Sequence, residues 1–494
     1  MSATVIDVHD ELATAKVGPR HWLLAAMMGA LTFFDGYDTF NPAYVLHYVA
    51  GPWGLAPGQA GLLVSSGLVG FLIGAAGHGV VADRFGRRVT LLGGLWITNV
   101  FTLATALLAD SFVSFCTLRV LTGIGLGVLM PLATTYINEL APRRVVNVFA
   151  LWGVALGWAL GGTFAGLVGV FMTPLFGWRV LYWVGSLSIL LSFILQLRLP
   201  ESVKFLALQK RVEEIKALLT RLRPERAQLY AQSQFVFPEA ASRENSVLAL
   251  LTPRYRRITL TIWLAAFLSL FCIFGLTGWI PTVMIQRGES FAASFGFGAL
   301  MQIMSFIGGL VCGRIADRTG SSRWTLACWW ALGGISVLSL VFFNVHVLNL
   351  VCTAAAGFFI IGAQYVLNNF AAASYETNFR ATGVGMLLSV GRVGAILGPF
   401  VVGTLQQVYT GPTAMFIAIG GAAIVAALAI ASVRSAGHPA FDLFASRAVV
   451  PAETYFAVSS ALDRFKNDVA SRRKSYEAGD HCSRNYRVRS AQEG

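Results

Sequence analysis

The sequence predicts an all-α membrane protein with twelve transmembrane helices in two pseudo-symmetric bundles of six. Three observations support this: an apolar composition, twelve apolar runs long enough to span a bilayer, and a loop motif that occurs once in each half. The chain has 494 residues, of which 56% are hydrophobic and only 12% are charged. Soluble domains contain about 25% charged residues. The 51 glycines agree, because membrane helices favour small residues where they touch.

The apolar runs are close to or longer than about 20 residues, the length that a helix needs to cross the hydrocarbon core. We number them as spans one to twelve in chain order. The predicted spans are 22–46, 60–82, 89–109, 112–137, 146–171 and 178–197, then 258–285, 293–316, 324–344, 347–372, 382–406 and 411–433. The chain thus divides into an N-terminal segment (1–21), a first bundle (22–197), a central loop (198–256), a second bundle (257–433) and a C-terminal tail (434–494).

Basic residues lie mainly in alternate loops between the spans. Arg84, Arg87 and Arg88 follow span two, Arg143 and Arg144 follow span four, and the central loop is rich in lysine and arginine. Because such loops remain on the cytoplasmic side, we expect a multi-pass protein of the inner (plasma) membrane with both termini in the cytoplasm. This distribution accounts for the net charge of +13 without a nucleic-acid partner.

The central loop and the tail are the largest polar segments. Residues 202–222 alternate charged and apolar positions at helical spacing, which predicts an amphipathic helix on the cytoplasmic face. The tail mixes charges of both signs, which is typical of a solvated segment. The polar residues 1–20 argue against a cleavable signal peptide.

No residue pattern in the sequence indicates catalysis or a bound cofactor. Five of the six cysteines fall inside apolar runs, and no Cys-x-x-Cys or Cys/His cluster predicts a metal site. A nucleophile–base set and a cofactor-binding loop are also missing from the sequence. We therefore expect no enzyme activity, no cofactor and no metal.

One loop motif occurs in both halves. Gly-Val-Val-Ala-Asp-Arg-Phe-Gly-Arg-Arg at 79–88 follows span two, and Gly-Arg-Ile-Ala-Asp-Arg-Thr-Gly at 313–320 follows span eight. The same motif at the same place in each six-span half predicts a duplicated bundle with a pseudo-two-fold axis along the membrane normal.

This motif resembles the most recognisable loop of the major facilitator superfamily. Residues 119–127 (Arg-Val-Leu-Thr-Gly-Ile-Gly-Leu-Gly) resemble the family's fourth-span motif. Residues 200–206 (Pro-Glu-Ser-Val-Lys-Phe-Leu) resemble the segment that closes the first half in sugar porters and their relatives. The resemblance covers residues 20–433 and implies the major facilitator fold. It departs at Ser321 and Ser322, which stand where the first half has Arg87 and Arg88.

Within the superfamily, Asp-Gly-Tyr-Asp at 35–38 resembles the aromatic acid:proton symporters. Residues 391–399 in span eleven are similar to that group as well. The resemblance implies uptake of an aromatic carboxylate, such as a hydroxybenzoate, together with protons. Organic-acid and nicotinate-type carriers share parts of the pattern.

Few charges lie inside the predicted spans: Asp35, Asp38, Arg119 and Arg392, with Glu139 near the inner end of span four. Charge inside a membrane is costly and usually functional. Asp35 and Asp38 stand three residues apart on one helix face. Two carboxylates this close in a low dielectric do not both ionise readily, so we predict that they couple transport to protons.

The two buried arginines are candidates for substrate binding. By depth, Arg119 is expected to pair with Asp38 or Asp35 and to hold substrate or switch partners, although a purely structural role is open. Arg392 lies near the midplane of span eleven, where a guanidinium suits bidentate capture of a carboxylate. The alternative is that Arg392 neutralises Asp35 across the cavity.

Tyr37, Trp158 and Asn368 complete the predicted substrate pocket, with Phe274, Tyr365 and Asn369 as further candidates in the spans. The offset between the loop motifs maps Arg392 onto Trp158, which places these two at one level in opposite halves. Aromatic rings stacked on a benzoate would be reasonable chemistry.

The loop motif itself predicts a gate. The predicted gating residues are Gly79, Asp83, Arg84, Gly86, Arg87 and Arg88, with Glu139, Asp317 and Arg318. Asp83 can accept hydrogen bonds from a neighbouring helix N-terminus. The arginines can pair with Glu139 or Glu201, and such contacts would latch the outward-facing state.

These features together predict a secondary active transporter that carries a small organic anion, most simply an aromatic carboxylate, with protons by alternating access. We expect it to act as a monomer in the bilayer. A sugar or polyol:proton symporter is the alternative that Pro200–Ser202 suggests, but span seven lacks the paired glutamines that hold hydroxyls. A drug:proton antiporter is a second alternative, and span five lacks the Gly-Pro of that motif.

Overall fold

A computed structural model describes residues 5–209, 211–236, 247–409 and 411–433 of the chain. The predicted C-terminal tail therefore lies outside the described residues. The predicted all-α membrane fold is confirmed, because every predicted span is occupied by helix.

The helices follow the predicted spans closely. In the first half they are Pro19–Val49, Pro57–Phe85, Arg87–Leu108 and Phe112–Leu140, then Val146–Phe149, Ala150–Ala155 and Leu156–Phe171 as span five, and Val180–Gly185 with Ser188–Arg198 as span six. In the second half they are Arg256–Gln286, Phe291–Thr319 and Ser322–Phe342, then His346–Ala356, Gly357–Ile361 and Gly362–Ala373 as span ten, followed by Thr377–Val408 and Thr413–Ala431. Ala150–Ala155 and Gly357–Ile361 are π-helical turns.

Eleven helices among the described residues are long and apolar enough to cross a membrane. Span one, Pro19–Val49, has the length but is not among them. It carries Asp35 and Asp38 in its middle, and these charges reduce its hydropathy. The helix that composition marks least clearly as a membrane span is thus the one that holds the predicted coupling residues.

The two halves touch near one end of the molecule, which we call the outer end; it is the end opposite the central loop. A β-carbon at Gly61 would lie 2.4 Å from the Pro399 carbonyl oxygen, and one at Gly403 would lie 2.3 Å from that of Pro57. Spans two and eleven therefore meet backbone to backbone. Spans five and eight pack similarly, because a β-carbon at Gly166 would lie 2.8 Å from the Ala299 side chain. We call these contacts the outer seam.

The central loop folds against the N-terminal segment at the opposite, inner end. Strand β1 (Val5–Asp7) pairs in parallel with strand β2 (Gln234–Val236). A short helix, Val8–Ala13, follows β1 and places Glu11 among central-loop side chains. Neither strand was predicted from the sequence.

The predicted amphipathic helix over 202–222 is wrong in one respect, since the structure has two helices there, Val203–Leu208 and Val212–Leu222. The break lies at Gln209, where the backbone leaves the helical conformation. The second helix buries Ile215, Leu218 and Leu219. The amphipathic pattern was therefore identified correctly, although its continuity was not.

Candidate substrate and proton site

Asp38 and Arg119 form a buried ion pair between spans one and four. Arg119 Nη1 lies 2.8 Å from Asp38 Oδ1, and Arg119 Nη2 donates to the Asp38 carbonyl oxygen at 2.8 Å. The Thr102 hydroxyl of span three donates to Asp38 Oδ2 at 2.6 Å. Both charged side chains are almost completely buried. Of the two acidic partners predicted for Arg119, the structure selects Asp38.

Glycines bring Arg119 to this depth. A β-carbon at Gly67 would lie 3.1 Å from Arg119 Nη2, and one at Gly123 would lie 2.0 Å from the Gly67 carbonyl oxygen. Spans two and four therefore approach each other at their backbones. The Arg119 guanidinium also lies over the Tyr182 ring, 5.7 Å from its centroid.

Asp35 is in a different environment from Asp38. Its side chain is 0% exposed, and neither carboxylate oxygen has a hydrogen-bond partner among the residues that the structure describes. The Thr39 hydroxyl lies nearby without hydrogen-bond geometry. The opposite charge that acts on Asp35 is the Arg392 guanidinium of the second half.

Arg392 reaches across the interface between the halves. Its guanidinium carbon lies 3.7 Å from the centroid of the Phe71 ring in span two, a cation–π contact. The side chain is half-buried. Within the described part of the chain, Arg392 has no carboxylate at ion-pair distance and no hydrogen-bond acceptor for its side chain. Its planar fork is therefore available to a ligand carboxylate.

The glycine within Asp-Gly-Tyr-Asp has a steric role. A β-carbon at Gly36 would lie 2.2 Å from the Trp158 carbonyl oxygen, so spans one and five touch there at their backbones. This contact places Trp158 at the level of Asp35. The Trp158 ring packs on Phe40 at 4.8 Å, and Phe40 stacks on Phe274 of span seven at 6.2 Å. We call Phe40, Trp158 and Phe274 the aromatic cluster.

Of the remaining predicted pocket residues, Asn368 belongs to a polar chain in the second half. Gln364 Nε2 donates to Asn368 Oδ1 at 3.1 Å, and the Ser269 hydroxyl donates to Gln364 Oε1 at 2.8 Å. Tyr37, another predicted pocket residue, is not part of this polar chain. It is fully buried, and its hydroxyl donates to the Leu181 carbonyl oxygen of span six at 2.9 Å.

The predicted gating residues of the first half form a network at the inner end. Arg87 Nε lies 3.2 Å from Glu139 Oε1, and the Arg88 backbone N–H donates to Glu201 Oε1 at 3.0 Å. Ser202 bridges the two acids by donating to Glu139. Gly86 has φ +96°, a backbone conformation that favours glycine, and a β-carbon there would lie 2.5 Å from Glu201 Oε2, so a larger residue would also displace the Glu201 side chain.

The other gating residues are less engaged in this conformation. The Asp83 side chain is 70% exposed and lies 3.9 Å from Arg87, not at a helix N-terminus. Arg84 lies over the ring of Phe85, and the position of a β-carbon at Gly79 is open. Asp317 and Arg318 of the second half are exposed.

Three residues at the site were missed from the sequence. Thr102 holds the second oxygen of Asp38, Phe71 supports Arg392, and the Ser65 hydroxyl donates to the Ile396 carbonyl oxygen across the halves at 2.7 Å. Hydroxyls and phenylalanines are common in membrane helices and usually pack without function. Only their position in the fold distinguishes these three.

Comparison with known proteins identifies the class. Residues 26–399 match the Major Facilitator Superfamily, so the chain belongs to this superfamily of membrane transporters and is not an enzyme. Its fold superposes on the xylose transporter XylE from E. coli in a partially occluded inward open conformation, with a TM-score of 0.67 at 17% identity. The superposition covers 83% of this chain and 97% of XylE.

Its relatives by sequence are carriers of aromatic acids. The chain is 34% identical over 429 residues to the gallate transporter of Pseudomonas putida, and the alignment covers 86% of this chain and 94% of that protein. It is 32% identical over 406 residues to the 4-hydroxybenzoate transporter PcaK of Pseudomonas aeruginosa, with coverage of 81% and 89%. The niacin transporter NiaP of Acinetobacter baylyi is 29% identical over 409 residues, with coverage of 82% and 92%. The resemblance to aromatic acid:proton symporters is thereby confirmed.

Proposed function

We propose that this transporter carries an aromatic carboxylate together with a proton by alternating access. The observation on which this rests is that Asp35 and Arg392, two charged side chains inside the spans, both lack a polar partner among the described residues. Asp35 is a buried carboxylate without a hydrogen-bond partner in the described chain, and Arg392 is a guanidinium without an acceptor there. They belong to opposite halves and attract each other electrostatically.

This arrangement links the binding of substrate to that of a proton. When no substrate is present, Arg392 is the counter-charge that makes an ionised Asp35 tolerable in a membrane. A substrate carboxylate that binds Arg392 through two parallel hydrogen bonds neutralises the guanidinium charge, which then no longer balances an ionised Asp35. Asp35 is then favoured in its neutral, protonated form, so one anion and one proton travel together.

Asp38 and Arg119 have a different part in the proposal. Their pair is closed by Thr102 and by the Asp38 carbonyl oxygen, so in this conformation Arg119 cannot reach a ligand. We assign Asp38 to proton coupling as a second site that responds to movement of span one. Arg119 then acts through Asp38, and direct contact with substrate requires that pair to open.

The outer seam and the inner network fit an inward-facing state. The halves meet at Gly61, Gly166 and Gly403 near the outer end, whereas Arg87 and Glu139 pair within the first half at the inner end. On this reading the Arg87–Glu139 pair is already formed in the inward-facing state and does not by itself latch the outward-facing one, contrary to the expectation from the sequence. In the outward-facing state, the inner ends would close and the exposed Asp83 and Asp317 would acquire partners. The basic inner loops support a plasma-membrane orientation with both termini in the cytoplasm, and a monomer suffices for this cycle.

Two observations favour an aromatic acid as the substrate. The aromatic cluster lies at the interface between the halves, with Trp158 at the level of Asp35 and Phe40 five residues outward of Asp35 along span one. The relatives named above are a gallate, a 4-hydroxybenzoate and a niacin transporter. The likeness to XylE, at 17% identity, shows the fold alone and does not make xylose a candidate of equal weight.

The test is uptake of labelled 4-hydroxybenzoate into proteoliposomes with an acidic exterior. One anion with one proton is electroneutral, so each pH unit supplies about 1.4 kcal/mol for accumulation. We expect Asp35→Asn to abolish accumulation but to retain exchange of internal for external substrate. Arg392→Gln should lose both, because the anion site itself is removed.

Matched controls lie outside the site. Asp110→Asn, in an outer loop, is the control for Asp35→Asn. Arg380→Gln, at the exposed inner end of span eleven, is the control for Arg392→Gln. Both should accumulate substrate normally. Wild-type accumulation by Asp35→Asn would refute the coupling role, and accumulation of xylose but of no aromatic acid would favour the sugar alternative.

A further inference from the structure

Gln302 of span eight carries a buried amide whose carbonyl oxygen accepts no hydrogen bond from the described residues. Its side chain is 2% exposed. Within the described part of the chain, its carbonyl oxygen Oε1 has no hydrogen-bond donor. A buried acceptor without a donor is unfavourable, and such groups in native structures call for an explanation.

The surroundings of Gln302 place it beside the aromatic cluster. A β-carbon at Gly162 would lie 3.1 Å from Gln302 Cγ and 2.6 Å from Phe40 Cδ2. Gln302 and Phe40 therefore border the same point on span five, where the two halves meet. The Gln302 side chain therefore lies next to Phe40, which packs against Trp158 and Phe274.

The depth of this amide matches the length of a substituted benzoate. Phe40 lies five residues outward of Asp35 on span one, which is about 7.5 Å along the helix axis. Asp35 marks the level of Arg392, where the proposed substrate carboxylate binds. A benzene ring that extends outward from Arg392 along the aromatic cluster brings the substituent opposite its carboxylate to the level of Gln302.

We propose that Gln302 determines specificity by accepting a hydrogen bond from the para-hydroxyl group of an aromatic acid. The inference rests on the proposed function and adds the ring substituent to it. A 4-hydroxybenzoate satisfies the buried amide oxygen, whereas benzoate leaves it without a donor. The transporter therefore prefers the hydroxylated acid.

The test compares KM for 4-hydroxybenzoate and benzoate uptake in proteoliposomes. Gln302→Met keeps the length of the side chain but removes the amide oxygen. We expect its KM for 4-hydroxybenzoate to rise about tenfold, which corresponds to 1.4 kcal/mol, with little change for benzoate. Gln286→Leu, at the exposed outer end of span seven, is the control and should leave both values unchanged.

A second measurement uses the wild-type protein alone. The acid 4-fluorobenzoate resembles 4-hydroxybenzoate in size but cannot donate a hydrogen bond, so it should compete about tenfold less well. An unchanged KM ratio in Gln302→Met, or equal competition by the fluorinated acid, would overturn the role of Gln302. If the wild type transports no aromatic acid, the proposed function fails first and this inference fails with it.

Discussion

Asp35 and Asp38 differ in their surroundings although they stand three residues apart on one helix. Arg119 and Thr102 satisfy Asp38, whereas Asp35 has no hydrogen-bond partner in the described part of the chain and is influenced by the charge of Arg392. The two carboxylates should therefore respond differently to the same substitution. Loss of Asp35 should affect coupling, and loss of Asp38 should also affect folding stability.

Removal of Arg119 is predicted to destabilise the protein. Arg119→Leu leaves the Asp38 carboxylate buried without its cation, and breaking a buried pair in this way costs about 3–5 kcal/mol. We expect a clear fall in the melting temperature of the purified protein. Adding Asp38→Asn to that variant should restore part of the lost melting temperature, because the buried carboxylate is then no longer charged.

The control for this stability measurement is Arg380→Leu, at an exposed position on span eleven, which should not alter the melting temperature. Equal melting temperatures for Arg119→Leu and the wild type would contradict a tightly paired Asp38. No recovery in the double variant would show that packing, not charge, accounts for the loss.

At this scale, the sequence predicted which residues matter better than how they pair. The four membrane charges were identified because charge is rare in apolar runs. Asp38 and Asp35 are equally plausible partners for Arg119 by depth alone, and the difference arises from glycine contacts at Gly67 and Gly123. The aromatic cluster and the position of Gln302 arise from contacts between the two halves. The hydrophobic periodicity of a sequence does not reveal such contacts.

Among the elements, the outer ends of spans two and eleven offer a direct test of alternating access. Gly61→Ala would place a methyl group 2.4 Å from the Pro399 carbonyl oxygen, so the outer seam cannot close as observed. We expect the population to shift towards the outward-facing state. A cysteine introduced at the outer end of the interface should then react faster with an impermeant thiol reagent.

Gly296→Ala is the matched control for this experiment. It lies in the outer part of span eight, where an added β-carbon meets no atom within 4 Å. Its labelling rate should equal that of the wild type. If Gly61→Ala also labels at the wild-type rate, the outer seam does not hold the closed state.

The N-terminal segment is predicted to stabilise the central loop through Glu11. Glu11 is buried, lies 2.8 Å from Arg223 and 3.0 Å from Arg226, and accepts a hydrogen bond from the Tyr230 hydroxyl at 2.6 Å. Glu11→Ala leaves these donors without their acceptor, so protease cleavage within 203–236 should accelerate. Asp10→Ala removes only an exposed pair with Arg143, which is worth about 1 kcal/mol or less, and should not change cleavage.

The contact between the N-terminal segment and the central loop is the part of the element arrangement that the sequence did not predict. Apolar length located all twelve spans, because a membrane helix must satisfy its own backbone. Strands β1 and β2 are only three residues each, and in the sequence one precedes the first bundle and the other follows it. Nothing local specifies their pairing, so only tertiary contacts could reveal it.

For the molecule as a whole, the outer loop between spans seven and eight predicts a pH dependence of stability. Glu289 lies there, where burial opposes its ionisation. Hydrogen bonds from Asn349 and His346 and the charge of Arg287 outweigh burial and hold the pKa of Glu289 below its ordinary value. An acid with a lowered pKa stabilises the fold above the ordinary glutamate pKa, about 4.3.

This contribution should be lost as the pH falls below that value and passes through the lowered pKa. Glu289→Gln should therefore melt at a lower temperature than the wild type at pH 7, and the difference should shrink at pH 4. The exposed acid Glu213 provides the control, because Glu213→Gln should show no such difference. If the difference in melting temperature between Glu289→Gln and the wild type does not change with pH, the effect of Glu289 is due to packing.

The close contacts at Gly61, Gly166 and Gly403 also bear on proton leakage. Dispersion between touching atoms weakens sharply when they separate by a fraction of an ångström. A seam held this way has little to gain from partial opening, so we expect no stable half-open form between its closed and open arrangements. Under the proposed proton-coupled cycle, water would then gain no standing path to Asp35 from both sides at once, and the proton gradient would be preserved while the carrier waits for its substrate.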